Sequence, residues 1–348
     1  PAGTSAACDL PVRFDLAGGW SDTPPYCLEH PARVLNLALA LDGALPIGAR
    51  AEALSAPRWE IALGDDAFTI LNAPRPIDLA DPLALPLAAL VQCGYGDGAH
   101  IHQGVRLRLW SRIPKGSGLG GSSILAAAAV RALTRLADRD DGVAAVMEHV
   151  LLVEQRLTTG GGWQDQLGGL VPGAKLLASV PQRPLRIVIE PIPLAASVQR
   201  ELEARLVVAH TGIERLAKNV LQRVMGGYLA RNRSVVHGIR ALADLAQDGR
   251  DRLAASDFAA LGAAMREVWA IHQSLDPHCS NPQVDALLAS CADLADGWKL
   301  AGAGGGGFAA LLAKDANAAE RLRERLAAVR GVRVVRARLH DGHATAAH

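Results

Sequence analysis

The 348 residues are half apolar and one-fifth charged, with 36 Lys and Arg against 35 Asp and Glu. That composition allows a core large enough for two packed domains, and without a basic stripe interleaved with aromatics it argues against a nucleic-acid partner. No apolar run approaches the length of a membrane span, and the N-terminus lacks the basic start and apolar stretch of a secretory leader. The five cysteines (Cys8, Cys27, Cys93, Cys279 and Cys291) form no C-x-x-C pair, so thiols in a reducing cytoplasm are expected.

Residues 11–17, 34–42 and 105–110 read as strands separated by loops rich in Gly, Pro and Asp. Residues 122–136 and 143–157 read as helices, and the glycines Gly160, Gly161 and Gly162 end the second. Strands follow at 175–179 and 186–190 around a Pro-containing break, which places a domain boundary at about residue 182. The second half reads as a strand (206–210), a long helical region (214–247) and a helix (257–273). Asn281 and Pro282 then supply an N-cap and a first helical residue. A glycine-centred strand pair (298–313), a helix (316–329) and a last strand (332–338) close the chain. The pattern is α+β, without the regular alternation of a doubly wound sheet.

The chemistry concentrates at residues 114–129, P-K-G-S-G-L-G-G-S-S-I-L-A-A-A-A, between a strand and a helix. Glycines let backbone N–H groups approach a ligand, and the start of the helix adds unpaired N–H groups and partial positive charge. Together they make a phosphate cradle from Lys115, Gly116, Ser117, Gly118, Leu119, Gly120, Gly121, Ser122 and Ser123. It is not a Walker loop, because Lys115 lacks the flanking Gly and Ser or Thr. A dinucleotide fold would need an acidic strand end about twenty residues on, where this chain has a charged helix exit.

Two more motifs complete a pattern: P-V-R-F-D-L-A-G-G-W-S-D-T-P-P at 11–25 and K-L-A-G-A-G-G-G-G-F-A-A-L-L at 299–312. In order and spacing the three resemble the GHMP kinases, which include galactokinase, homoserine kinase and mevalonate kinase. The resemblance spans nearly the whole chain. It implies a ribosomal-protein-S5-like N-terminal domain (1–182), a ferredoxin-like C-terminal domain (183–348), and ATP with Mg²⁺ in the cleft between them. G-G-W-S-D-T-P-P and the later G-G-G-W-Q-D-Q at 160–166 look like the L-fucokinase subgroup. That subgroup implies L-fucose, phosphorylated at its anomeric hydroxyl. A heptose-7-phosphate kinase is the nearest alternative, and a non-catalytic sugar and ATP sensor is a third. In many organisms the fucokinase is part of a longer bifunctional chain, and the missing initiator methionine fits an excised domain.

The resemblance also assigns roles, each of which has a plainer reading. Ser122 aligns with the metal-binding serine, although Ser122 and Ser123 would equally serve as helix caps. Glu154 lies eleven residues before Asp165, the mevalonate-kinase spacing of metal ligand and catalytic Asp, and otherwise reads as a solvated helix-end carboxylate. Asp165 is the candidate base, or an orienter of the hydroxyl, since phosphoryl transfer needs little deprotonation. Arg13 matches a basic residue near the transferred group, or else holds the base through an ion pair. Asp22 and Ser21 match the sugar-binding position, Trp20 offers a face for sugar C–H groups, and Trp163 and Gln164 adjoin the base. Gly304 and Gly305 are expected over the phosphates or behind the cradle. His272 and His278 flank a Pro-containing turn and read as loop residues, and His210 reads as a packing residue at a strand end.

Overall fold

The computed structural model describes residues 3–72, 75–95, 104–158, 160–213 and 219–342. Two compact units emerge. One is built from Pro1–Val12, Leu45–Lys115 and Gly120–Val171, the other from Arg13–Ala44, Gly116–Leu119 and Pro172–His348. Each is α+β.

The first unit holds a mixed five-stranded sheet. Strand Ile47–Leu54 lies between Ser5–Leu10 and Gly104–Ser111, antiparallel to both; Trp59–Leu63 pairs parallel with Gly104–Ser111 and carries Thr69–Leu71 at the edge. Period-two alternation decides its faces. Ala49, Ala51, Val105, Leu107 and Leu109 are buried, while Arg50, Glu52, Arg106 and Arg108 line the other face. Helix Gly121–Leu136 covers the apolar face with a run of small residues, Ala126 to Ala129, that admits close packing. Helices Ala84–Gln92, Val143–Arg156 and Gln164–Leu170 pack around it.

The second unit holds two sheets. In one, strand Ala32–Leu41 pairs antiparallel with Ala174–Ser179 and Ala337–Leu339, and Val12–Ala17 also joins it. Nearly every residue of Ala32–Leu41 is buried because helix Arg233–Ala254 lies against it, presenting Val235, Ile239, Leu242, Ala246 and Leu253 at helical spacing. In the other sheet Leu206–His210 and Phe308–Ala313 form the centre, with Ala295–Leu300 and Arg333–Val335 outside. Helix Phe258–Leu275 touches strand Ala295–Leu300 backbone to backbone. A Cβ on Gly297 would meet the Gly262 carbonyl oxygen at 2.1 Å, so both positions demand glycine. That approach brings the end of the helix to the strand that carries Lys299.

Sequence patterning missed several elements: Ile47–Leu54, Trp59–Leu63, Thr69–Leu71, Ala84–Gln92 and Ala196–Arg205. The long helical region expected over 214–247 holds two helices, Val220–Leu229 and Arg233–Ala254; the Asn232 side chain caps Ser234 N–H and starts the second. Lys218 and the start of that region lie outside the described residues. The expected strand at 332–338 is two short strands in different sheets. As expected, Asn281 caps its helix, accepting from Gln283 and Val284 N–H. The five cysteines are buried and none is in a disulfide. Among the described residues no helix is long and apolar enough to cross a membrane.

Candidate functional site

In the first unit the helix Gly121–Leu136 begins with left-handed Gly120 and no side-chain cap. Its first intrahelical bond is Ile124 N–H to the Gly120 carbonyl, so the amides of Gly121, Ser122 and Ser123 precede the helical ladder. Ser122 is exposed, whereas Ser123 donates its hydroxyl to Glu154, a buried carboxylate near the end of helix Val143–Arg156. A Cβ on Gly161 would stand 3.9 Å from Glu154 Oε2, so the glycine run passes beside this carboxylate. Asp165 occupies the first turn of helix Gln164–Leu170 and is half-buried. That short helix docks tightly on the start of the longer one: a Cβ on Gly169 would meet Ile124 at 2.8 Å. Buried Trp163 and half-buried Gln164 precede Asp165; among the described residues the Trp163 indole N–H and the amide of fully buried Gln166 have no hydrogen-bond partner.

Oxygen donors from a hydroxyl and a carboxylate suit Mg²⁺, which is held by one or two carboxylates and keeps several waters. The Ser123–Glu154 pair fits that demand. Among the described residues no cluster of three or more His, Cys, Asp or Glu forms a richer metal site.

In the second unit Gly116–Leu119 is fixed from behind. Gly116 and Gly118 are left-handed (φ +76° and +80°), and a Cβ on Gly118 would lie 2.5 Å from the Ala301 carbonyl oxygen. The Ser117 carbonyl accepts from Phe308 N–H at 3.0 Å, and Gly307 packs against it. The 302–307 glycine loop therefore buttresses the cradle. Gly305 N–H is taken by the Cys279 carbonyl at 2.6 Å, and Gly304 N–H faces the Ala301 carbonyl at 3.4 Å. Lys115 is exposed at the rim, while the Ser117 and Leu119 side chains are buried.

Arg13 reaches this loop directly: its guanidinium donates to the Gly118 carbonyl at 2.8 Å and to Asp15 Oδ1 at 3.2 Å, and its own N–H to Leu119 at 3.4 Å. Asp15 in turn takes the Lys299 ammonium at 2.5 Å, and the Asp15 carbonyl takes it at 2.6 Å. All three side chains are buried. Burial works against an ionised Asp15, but the adjacent Lys299 and Arg13 charges outweigh it and hold the carboxyl below the usual carboxylate range.

The G-G-W-S-D turn is equally constrained. The Ser21 hydroxyl donates to the Gly18 carbonyl (2.7 Å) or the Arg33 carbonyl (3.0 Å) and accepts from Arg33 N–H (3.2 Å). It serves the turn in this structure. Asp22 is fully buried beside it. Trp20 is left-handed (φ +79°) and buried, and its indole N–H has no hydrogen-bond partner among the described residues. Its ring lies 6.2 Å from that of His272, which sits in the last turn of Phe258–Leu275 rather than in a loop, correcting the sequence reading. His278 is exposed and bound to Asp276 at 2.7 Å. His210 packs edge-on against Phe308 at 5.1 Å, as expected of a strand end.

Asp15, Lys299, Gln166 and His272 are the residues that sequence reasoning passed over or declined. Asp15 and Lys299 had a signal: each is a charge between apolar neighbours in a strand, Phe14 and Leu16 for one and Trp298 and Leu300 for the other, and a buried charge needs a partner.

Comparison with known proteins identifies the family. Residues 84–171 match the GHMP kinases N terminal domain and residues 250–330 the GHMP kinases C terminal domain. The chain is 43% identical over 325 residues to a bifunctional fucokinase/GDP-fucose pyrophosphorylase of Arabidopsis thaliana, covering 91% of this chain and 31% of that protein. It is 31% identical over 337 residues to an L-fucokinase/L-fucose-1-P guanylyltransferase of Bacteroides fragilis, covering 90% and 35%. The chain thus spans about a third of the length of these relatives. Its fold matches a D-glycero-D-manno-heptose 1-phosphate kinase of Bacteroides thetaiotaomicron, with a TM-score of 0.76, 17% identity and 97% of each chain covered.

Proposed function

The chain belongs to the GHMP kinases, and on that premise we propose that it transfers the γ-phosphoryl group of ATP to the anomeric hydroxyl of L-fucose, giving L-fucose 1-phosphate. The observation that carries the kinase reading is the uncapped start of helix Gly121–Leu136, with the Ser123–Glu154 pair beside it. Amides not used by the helix and its dipole favour anionic phosphate oxygens there. Gly116–Leu119, with Lys115 at its rim, continues that cradle. Glu154 and a serine, Ser122 or Ser123, would hold Mg²⁺, which when bound neutralises charge on the phosphates. Asp165 accepts or orients the proton of the attacking hydroxyl, and Arg13 fixes the cradle through Gly118.

The substrate follows from the two fucokinase relatives and from the G-G-W-S-D-T-P-P turn, in which Asp22 and Trp20 contact the sugar and Ser21 holds the turn. Trp163 and Gln164, next to Asp165 in the sequence, are further candidates for sugar binding. The division into family domains near residue 182, a role in fucose salvage and a place in a longer bifunctional protein belong to the same reading. Buried thiols outside disulfides fit a reducing cytoplasm.

The test is ATP consumption by the purified chain with Mg²⁺ and a panel of L-fucose, D-arabinose, D-galactose and D-glycero-D-manno-heptose 7-phosphate. Turnover with L-fucose, and more weakly with D-arabinose, is expected. Turnover with the heptose phosphate alone would move the substrate, and silence with ATP still bound would make the protein a sensor.

A further inference from the structure

His272 is 1% exposed, and neither ring nitrogen has a hydrogen-bond partner among the described residues. Taking a polar group out of water without replacing its bonds is unfavourable. A native fold that carries such a group calls for something that completes it. The surroundings narrow what that is. The ring lies between two indoles, Trp269 and Trp20, each 6.2 Å away between centroids. Trp20 Nε1–H is itself buried without a partner, and Trp20 is held in the left-handed region, costly for a bulky side chain. Strain of that kind clusters at ligand sites.

Charge narrows it further. Burial, aided by the Lys299 charge and opposed by Asp15, pushes the imidazole down to about 3. At neutral pH it is uncharged, with one donor and one acceptor. Lys299 and Arg13, the cations of the neighbouring network, are engaged by Asp15. A phosphate would find only neutral groups here. A hydroxyl, which donates once and accepts twice, matches an indole N–H together with a neutral imidazole.

We propose that His272 and Trp20 form a hydroxyl-binding site for the sugar, in which one uncharged sugar hydroxyl accepts from Trp20 Nε1–H and shares a second hydrogen bond with the His272 ring. This rests on the sugar-kinase reading and deepens it. The site selects a neutral polyol at this position and disfavours a phosphorylated one. His272 binds substrate and takes no part in proton transfer.

The test compares wild type with His272→Phe, His272→Gln and Trp20→Phe by steady-state kinetics with L-fucose and ATP, and by thermal unfolding without ligand. His272→Phe is expected to raise the sugar KM roughly tenfold, the scale of one lost neutral hydrogen bond, with the ATP KM unchanged. Its ligand-free melting temperature is expected to hold or rise, because an apolar ring replaces an unpaired polar one. His272→Gln restores a donor and an acceptor and is expected to recover much of the affinity. Trp20→Phe, which keeps a ring and loses only the N–H donor, is expected to raise the sugar KM alone, and it decides the matter if His272→Phe does not fold. An unchanged sugar KM in His272→Phe overturns the proposal. So does a fall in ligand-free stability with both KM values rising together, which would assign the ring to a structural water. Wild type silent with every sugar of the panel overturns the kinase reading itself, and this inference with it; wild-type turnover with insensitive variants overturns this inference alone.

Discussion

Asp15 and Glu154 are both buried carboxylates on regular elements, but their partners differ. Asp15 is held between the Lys299 ammonium and the Arg13 guanidinium. Glu154 accepts from the neutral Ser123 hydroxyl and lies beside a glycine run. A carboxylate whose charge is cancelled by fixed cations is occupied, and it serves as an anchor. Glu154, beside the Ser123 hydroxyl and the glycine run, is the carboxylate proposed above for Mg²⁺. The contrast separates an acid anchored by two fixed cations in the second unit from the acid of the first that is proposed to hold Mg²⁺. It also shows why a buried carboxylate is not by itself a sign of catalysis.

The contrast can be broken or sharpened by substitution. The largest effect is expected at Asp165, the acid assigned to the substrate proton. Asp165→Asn should lower turnover roughly 10²–10⁴-fold with ATP affinity nearly intact, the scale of a lost general base, and near-wild-type turnover would remove it from that role. Next comes the anchor. Lys299→Met leaves the buried Asp15 charge with Arg13 alone and should cost up to about 3–5 kcal/mol in denaturant unfolding. Adding Asp15→Asn should recover part of that loss. A double variant as unstable as the sum of the singles would deny the pair.

Glu154→Gln should move the Mg²⁺ titration of ATP turnover to higher metal, with little change in folding stability. An unchanged titration would make Glu154 structural. The smallest effect concerns Lys175, another buried ionisable group of the second unit, pushed down to about 7 by burial. From about pH 7 to 10.5 the unfolded chain binds more protons at this residue than the native one, so its contribution to stability rises with pH across that window. Lys175→Met should therefore raise the melting temperature most at or below pH 7, with the gain fading towards pH 10.5. A gain independent of pH would point to packing instead of charge.

Local patterns and tertiary contacts contributed differently. The phosphate loop was legible because left-handed backbone demands glycine one residue at a time, and Gly116, Gly118 and Gly120 all adopt it. The Asn281 cap was legible for the same reason, since an Asx side chain reaches only its own next turn. Strand Ile47–Leu54 was not. Its exposed face carries Arg50 and Glu52 and its buried face small alanines, which gives a weak apolar signal. The split of the long helical region escaped because Asn232 as a cap looks like any polar residue of a solvated helix.

The sequence by itself determined the family, the α+β class and the turns whose backbone only certain residues can adopt. These are local demands, written in consecutive residues. Tertiary structure alone decided that Lys299 reaches Asp15 across 284 residues, that Ser123 rather than Ser122 holds Glu154, and that His272 lies beside Trp20. Such pairings depend on which strands and helices pack together. The charge and hydrogen-bonding state of a buried side chain depends on that packing, because removing water leaves each polar group only the neighbours the fold supplies.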